Sequence, residues 1–381
     1  MSAVIGCGSA DDKADEGGKR SFTVAAAGDI LIHPQLTDQA IADAKAAGRD
    51  GIDFGRIMAG VKPVISKADL AICHLEPVLG EPDGPFESYP NFLVPPQIAD
   101  TIKDIGYDTC STASNHTLDH GEAGVKRTLD VLDKAGVKHT GSFRSREEAA
   151  TPLVLDVKGV KVAQLSFAFG FNGRELPRDK PWMVNQNSFD RIAAAERTAR
   201  KAGAEVVILS IHWGREQQTE PTIPQLKLAR RIAEETGIDL VLGHHAHVVQ
   251  PMEKVNGTWI AYGLGNQVAR HDVPNGLTEE GIIGWFEFTE RSGGWDAEAR
   301  YAPTLVEIPP DPEDPAAPEI RDARGVTAHR LLDVAAALRA EKGLTEERRP
   351  RLRLAFDRVR GTMLNRGAAK DGLKPLHDLP D

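Results

Sequence analysis

The chain has 381 residues, 41% hydrophobic and 27% charged, enough to bury one large core or two small ones. Its formal net charge of -10 excludes generic nucleic-acid binding, which needs a basic face. No apolar run reaches the length of a membrane-spanning helix, and three cysteines do not make a disulfide framework.

At the N-terminus, Val4-Ile5-Gly6-Cys7-Gly8-Ser9 resembles a bacterial lipobox, followed by a polar tether over residues 10–20. Only six residues precede Cys7, too few for a secretory leader. The expectation is a truncated leader, an acyl anchor at Cys7 and an extracytoplasmic, membrane-anchored protein; without an upstream leader the location is cytoplasmic. Residues 21–27 read as a buried strand with Gly28-Asp29 at its tip. A helix is predicted over 36–47, stopped by Gly48, and another over 53–67, interrupted at Pro63. Residues 70–74 form the next strand, ending near Glu76, and 78–95 read as a Gly- and Pro-rich loop. A helix over 96–106, a strand over 107–112 that leads to Asn115-His116, a helix over 122–135 and a strand over 137–141 follow. This alternation indicates an α/β arrangement. Cys73 and Cys110 lie in apolar segments and read as small buried hydrophobes.

Residues 153–157 and 160–167 flank Lys158-Gly159, a hairpin turn, and 169–187 read as an irregular insert. A helix over 189–202, a strand over 205–211 ending at His212, a helix over 226–235 and a strand over 238–242 come next. Two further hairpins are predicted, 248–255 with 258–264 around Asn256-Gly257, and 282–289 with 298–308 across Gly293-Gly294. Residues 309–318 read as a linker rich in Pro, Asp and Glu, and 326–340 and 346–363 as two charged amphipathic helices.

Five polar clusters stand where apolar strands end: Gly28-Asp29, Glu76, Asn115-His116, His212 and His245-Ala246-His247. Carboxylates, an amide oxygen and imidazoles together suit a hard or borderline divalent cation, and are numerous enough for two. Singly, each residue has an ordinary explanation. Asp29 could cap the following segment, Asn115 is a good turn residue, His247 could be a hydrogen-bonded strand histidine, and Trp213 reads as core. Glu216 reads equally as a salt-bridge partner or a substrate contact, His244 and His271 read as solvent-facing, and His139 has no partner that the sequence names. The joint, ordered occurrence favours a metal-dependent hydrolytic site.

The same segments resemble the bacterial capsule-synthesis CapA family (poly-γ-glutamate synthesis protein), a branch of the calcineurin-like metallophosphoesterase superfamily. The matching stretches are Ala27-Gly28-Asp29, Leu75-Glu76, Ser114-Asn115-His116 with Asp119, His212-Trp213-Gly214 with Glu216, His245-Ala246-His247 with Gln250, and Leu264-Gly265-Asn266. The resemblance implies an α/β two-sheet metallophosphoesterase-like sandwich flanked by helices over 21–308, preceded by a polar tether (1–20) and followed by a linker and helical extension (309–381). It implies one or two divalent ions (Mn, Fe or Zn) on Asp29, Glu76, Asn115, His212, His245 and His247, with Asp29 bridging. It implies His116 as a general acid, since an ordinary imidazole pKa lies near ~6.5, and Asp119 as the residue orienting it. Glu216, Asn266 and His74 would contact substrate, His74 serving alternatively as an extra ligand. His33 stands two positions later than the histidine of the family's first motif and is not assigned as a ligand. The expected activity is hydrolysis or transfer at a phosphoester or amide in capsule or poly-γ-glutamate metabolism. The expected partners are an anionic polymer or phosphoester substrate and the membrane subunits of a polyglutamate synthase; the alternative is a non-catalytic accessory subunit of such a complex.

Overall fold

The computed structural model describes residues 19–310, 325–340 and 344–379. Cys7 and most of the predicted 309–318 linker lie outside the described residues.

Alternation along the first strand sets the layering. In β1 (Ser21–Leu31), Phe22, Val24 and Ala26 enter one hydrophobic core while Ala25 and Ala27 enter another. A strand buried on both faces belongs inside a sandwich. The next strands are β2 (Leu70–Leu75), β3 (Val78–Leu79), β4 (Leu93–Val94), β5 (Thr109–Ser111), β6 (Lys138–Thr140), β7 (Leu153–Val157), β8 (Val160–Ala168), β9 (Val206–His212) and β10 (Leu240–His244). They are followed by β11 (Met252–Val255), β12 (Thr258–Ala261), β13 (Asn266–Ala269), β14 (Glu280–Arg291), β15 (Gly294–Glu307), β16 (Arg330–Asp333) and β17 (Lys374–Pro375). Among the described residues, the larger sheet runs β16-β15-β14-β1-β2-β5-β6, with β13 also on β1 and β17 on β15. The second sheet runs β11-β12-β10-β9-β8-β7.

The fold is thus an α/β two-sheet sandwich flanked by helices. Its middle core joins Phe22, Val24, Leu70 and Ile72 of one sheet to Val162, Val206, Ile208 and Leu242 of the other. The outer face of the larger sheet is covered by the helices Pro34–Ala46, Ile98–Ile105 and Gly121–Ala135. The outer face of the second sheet, with Val207, Leu209 and Ile211, is covered by the helices Phe189–Lys201 and Ile223–Glu235. Among the described residues no helix is long and apolar enough to cross a membrane.

The structure departs from the sequence reading in several places. The helix expected over 53–67 is two short ones, Gly55–Met58 and Lys62–Ile65. Gly60 breaks it by bridging to Leu332, at an approach that leaves no room for a Cβ. The helix expected over 326–340 begins as β16, because Leu331 and Leu332 find the free edge of β15. Only Val334–Arg339 is helical there, capped by Asp333. The extension is therefore woven into the larger sheet, and the helix Arg349–Leu364 packs beneath it. The 78–95 loop contains the two-residue strands β3 and β4. Cys73 and Cys110 are not free thiols: they are register partners on the adjacent parallel strands β2 and β5 and form a disulfide, their Cα atoms 4.4 Å apart.

Candidate metal centre

Both sheets deliver polar side chains to one place. Asp29 lies near the end of β1, Glu76 directly follows β2, and Asn115-His116 follow β5. His212 and His244 end β9 and β10 and are register partners there. Two glycines permit the convergence. A Cβ on Gly28 would stand 2.0 Å from the Gly265 carbonyl oxygen, and one on Gly243 1.9 Å from that of Tyr262. These contacts require bare backbone. Beyond β10 the chain turns through His245 (φ 92°) and His247 (φ 55°), left-handed conformations that cost a non-glycine residue roughly 1–3 kcal/mol and concentrate at functional sites.

The six expected ligands do meet. Donor atoms of Asp29, Glu76 and His247 lie within 4.8 Å of one another, as do those of Glu76, His212 and His245. His212 Nε2 is 2.9 Å from Asn115 Oδ1 and 3.8 Å from Glu76 Oε1. His247 Nε2 is 3.7 Å from Glu76 Oε1, and its Nδ1 is 3.3 Å from Asp29 Oδ2. Sharing between donor groups is not confined to Asp29, since Glu76 joins both sets. These groups are positioned to bind a metal.

The electrostatics fit a cation. Glu76 is buried, and neither of its carboxylate oxygens has a hydrogen-bond partner. Buried polar groups are otherwise satisfied in the great majority of cases. Burial pushes Glu76 up to about 7, with His247 opposing. Burial also works to raise Asp29, but contacts from His244 and His247 outweigh it and hold the carboxyl well below the usual range. Burial, then neighbouring imidazoles, hold His74 and His212 well below the ordinary histidine value, and burial takes His245 to about 3. Neutral imidazole is the form that ligates. His247 differs: burial opposes its charge, yet Glu76 and Asp29 raise it to about 10. Without a metal, its proton is the nearest compensation for two carboxylates.

His116 stands beside this cluster. Its Nδ1 is 2.6 Å from Asp119 Oδ2, which also accepts the Phe92 backbone N–H at 2.8 Å. The Phe92 ring meets the imidazole edge-on, with centroids 4.8 Å apart. The other expected contacts divide. Glu216 is exposed and forms a donor group with His245 and His247, and the Gln217 N–H bonded to the Ala246 carbonyl (2.7 Å) pins its loop to the histidine turn. Asn266 is fully buried; its Oδ1 meets His247 Nδ1 at 2.9 Å and its Nδ2 donates to the Thr278 carbonyl at 2.8 Å. His74 is also buried beneath the site, between Ser111 Oγ (2.8 Å) and His212 Nδ1 (3.0 Å), and forms a donor group with Asp29 and His212.

His244, expected to face solvent, is buried, with Nδ1 3.1 Å from Asp29 Oδ1 and its ring stacked on His74 at 4.0 Å. Its signal in the sequence was adjacency to the strand end, the same signal that marked His212. His271 is not solvent-facing either: its ring lies 4.9 Å from that of His247, and burial lowers it to about 2. His33 Nδ1 lies 3.1 Å from the Leu31 carbonyl oxygen and 3.2 Å from the Arg270 backbone nitrogen, outside the four donor groups. The insert after β8 supplies residues that the sequence did not single out. Phe169, 42% exposed, packs its ring 4.7 Å from His245, Asn172 Oδ1 accepts from Asn115 Nδ2 at 3.2 Å, and Arg174 Nε stands 3.6 Å from Asp119. No periodicity marks an irregular segment, so only its place at a strand end could have flagged it.

The sequence profile of the family described as "Bacterial capsule synthesis protein PGA_cap" matches residues 23–271. The "PGA biosynthesis protein CapA" of Bacillus subtilis (strain 168) is 32% identical over 169 residues, 44% of this chain and 44% of that protein. The "Capsule biosynthesis protein CapA" of Bacillus anthracis is 26% identical over 255 residues, 65% of this chain and 59% of that protein. The chain thus spans about half the length of these curated relatives. Among solved structures, the calcineurin-like phosphoesterase YfkN from Bacillus subtilis is similar at 15% identity and a TM-score of 0.42, over 90% of this chain and 98% of that one.

Proposed function

The chain belongs to the bacterial capsule synthesis protein family PGA_cap, and from that premise we propose that it is a metal-dependent hydrolase or transferase acting on a phosphoester or amide bond in capsule or polyglutamate metabolism. The observation that carries the proposal is Glu76, a buried carboxylate with both oxygens unpartnered, set between His212 and His247. Asp29, Glu76, Asn115, His212, His245 and His247 would hold one or two divalent ions, and N/O donors of this kind suit Mn, Fe or Zn. Bound there, such ions supply Lewis acidity toward phosphoryl or acyl oxygens.

The chain's own residues do the rest. Asp119 accepts a hydrogen bond from His116 Nδ1 and fixes the ring, leaving Nε2 to hold the proton that a leaving group needs. Phe92 and Phe169 wall the imidazoles with apolar surface, which strengthens electrostatic interactions beside them. Asn172, beside His116, and Arg174, beside Asp119, present donors to an anionic substrate. Asn266, with its amide engaged, orients His247 rather than touching substrate.

A second reading is a non-catalytic accessory subunit of a polyglutamate synthesis complex, with synthase membrane subunits as partners. It is favoured by His33, whose Nδ1 is tied to backbone and which leaves the first motif with Asp29 as its only donor. Metal analysis of purified protein, with hydrolysis assays on an aryl phosphodiester and on poly-γ-glutamate, separates the two. The catalytic reading expects bound divalent metal and turnover of one substrate. Metal-free, inactive protein after reconstitution selects the accessory reading.

A further inference from the structure

The matched family region ends at residue 271, yet the metal centre is held from beyond it. Asn266 aims His247, and Asn266 is itself fixed by the Thr278 carbonyl. Thr278 lies in the turn 275–280, which is folded around its own polar groups. Asn275 Oδ1 accepts the backbone N–H of Leu277 and of Thr278, each at 2.9 Å, and the Glu279 carboxylate accepts the Gly276 N–H at 2.7 Å and the Thr278 hydroxyl at 2.7 Å. Asn275 Nδ2 also reaches Gln217 Oε1 at 3.1 Å, on the loop that carries Glu216. The turn therefore touches both sides of the histidine cluster.

The turn is clamped from outside by the helix Arg349–Leu364. Arg351, only 8% exposed, donates from Nη1 to Glu280 Oε1 at 2.5 Å and from Nη2 to the Gly276 carbonyl at 2.9 Å. Arg358 Nη1 adds a contact to the same carbonyl at 3.3 Å. Arg351 thus bridges the first and last residues of the 276–280 segment. A planar guanidinium with two donors held in fixed relation defines both position and angle.

We propose that Arg351 is a positioning residue for the metal centre, acting through the 276–280 turn, the Thr278 carbonyl and Asn266 on His247. The inference rests on the metal-binding reading of the site. It gives the C-terminal extension a role in the chemistry of the family-matched region: the extension sets the angle of one ligand's imidazole.

The test is calorimetric titration of metal-stripped, full-length protein with Mn²⁺, on wild type, Arg351→Lys, Arg351→Met and the double variant Arg351→Met with Glu280→Gln. Substitutions of groups that orient metal ligands typically weaken affinity about 10–100-fold. The expected result is a dissociation constant about tenfold weaker in Arg351→Met and an intermediate value in Arg351→Lys, which keeps one of the two contacts. The double variant removes the uncompensated Glu280 charge, so its melting temperature recovers toward wild type while the weak metal binding persists. Wild-type affinity in Arg351→Met or in the double variant overturns the positioning role and leaves Arg351 a purely structural residue. Wild-type protein that takes up no metal overturns the underlying metal-centre reading instead.

Discussion

Two buried clusters of charge lie in this molecule, and they are finished to different degrees. At the strand ends, Asp29 and Glu76 face five imidazoles, and the Glu76 carboxylate has no hydrogen bond. Under the C-terminal extension, three buried carboxylates each have a guanidinium partner: Glu280 has Arg351, Glu307 has Arg348 at 2.6 Å, and Asp43 has Arg330 at 2.8 Å. These three carboxylates are paired by protein atoms alone. The first cluster leaves charge and lone pairs pointing at one another, an arrangement that folding by itself does not favour. The contrast separates a cluster that holds the fold from one positioned to bind a cation.

The largest effect should come from His116, which stands beside the unfinished cluster without belonging to its donor groups. His116→Ala is expected to lower turnover by about 10²–10⁴-fold, the usual worth of a positioned acid, with bound metal unchanged. Turnover on the aryl phosphodiester and metal content measured on the same sample check this. Loss of metal together with activity would move His116 into the first cluster and break the distinction.

The next test sets one carboxylate from each cluster side by side. Glu280→Gln strands the Arg351 guanidinium and should destabilise the protein by about 3 kcal/mol in urea unfolding. Glu76→Gln removes a carboxylate that accepts no hydrogen bond, and Asp29 remains beside His247, so metal-free stability should change by less than about 1 kcal/mol. Equal losses in the two variants would refute the claim that the clusters differ. Metal then narrows the gap. At a concentration 100 times the wild-type Kd, wild type should gain about 2.7 kcal/mol from linkage, Glu280→Gln somewhat less because the Arg351 clamp is weakened, and Glu76→Gln little or none.

Legibility in the sequence follows the same division. Asp29, Glu76, Asn115, His212, His245 and His247 could be picked out because each follows an apolar run, and a strand end is a place in the fold that a sequence declares. Partners fixed by register between strands could not. His244 joins Asp29 because β9 and β10 align it with His212, and Cys73 meets Cys110 because β2 and β5 align them. Neither alignment is written in spacing along the chain. The extension was misread for a related reason. Residues 326–340 carry a helical charge pattern, but Leu331 and Leu332 meet the free edge of β15, and sheet pairing overrides local preference. The turn that aims Asn266 is held by Arg351, 71 positions beyond Glu280.

The smallest expected effect sharpens the account of the extension. His329 lies among cations there, beside Arg330 and near Arg270, and its Nε2 is buried without a hydrogen-bond partner. Burial first, then those arginines, lower it from 6.5 to about 4. Between these two values the unfolded chain binds a proton that the folded chain refuses, so the contribution of His329 to stability is present near neutrality and is lost as pH falls from 6.5 toward 4. A His329→Gln variant carries no such proton. The difference in unfolding free energy between wild type and variant should therefore be constant above pH 7 and shift against wild type on acidification through that window. A pH-independent difference would mean that His329 is solvated in the folded protein, and that the cationic side of the extension is less sealed than its carboxylate pairs.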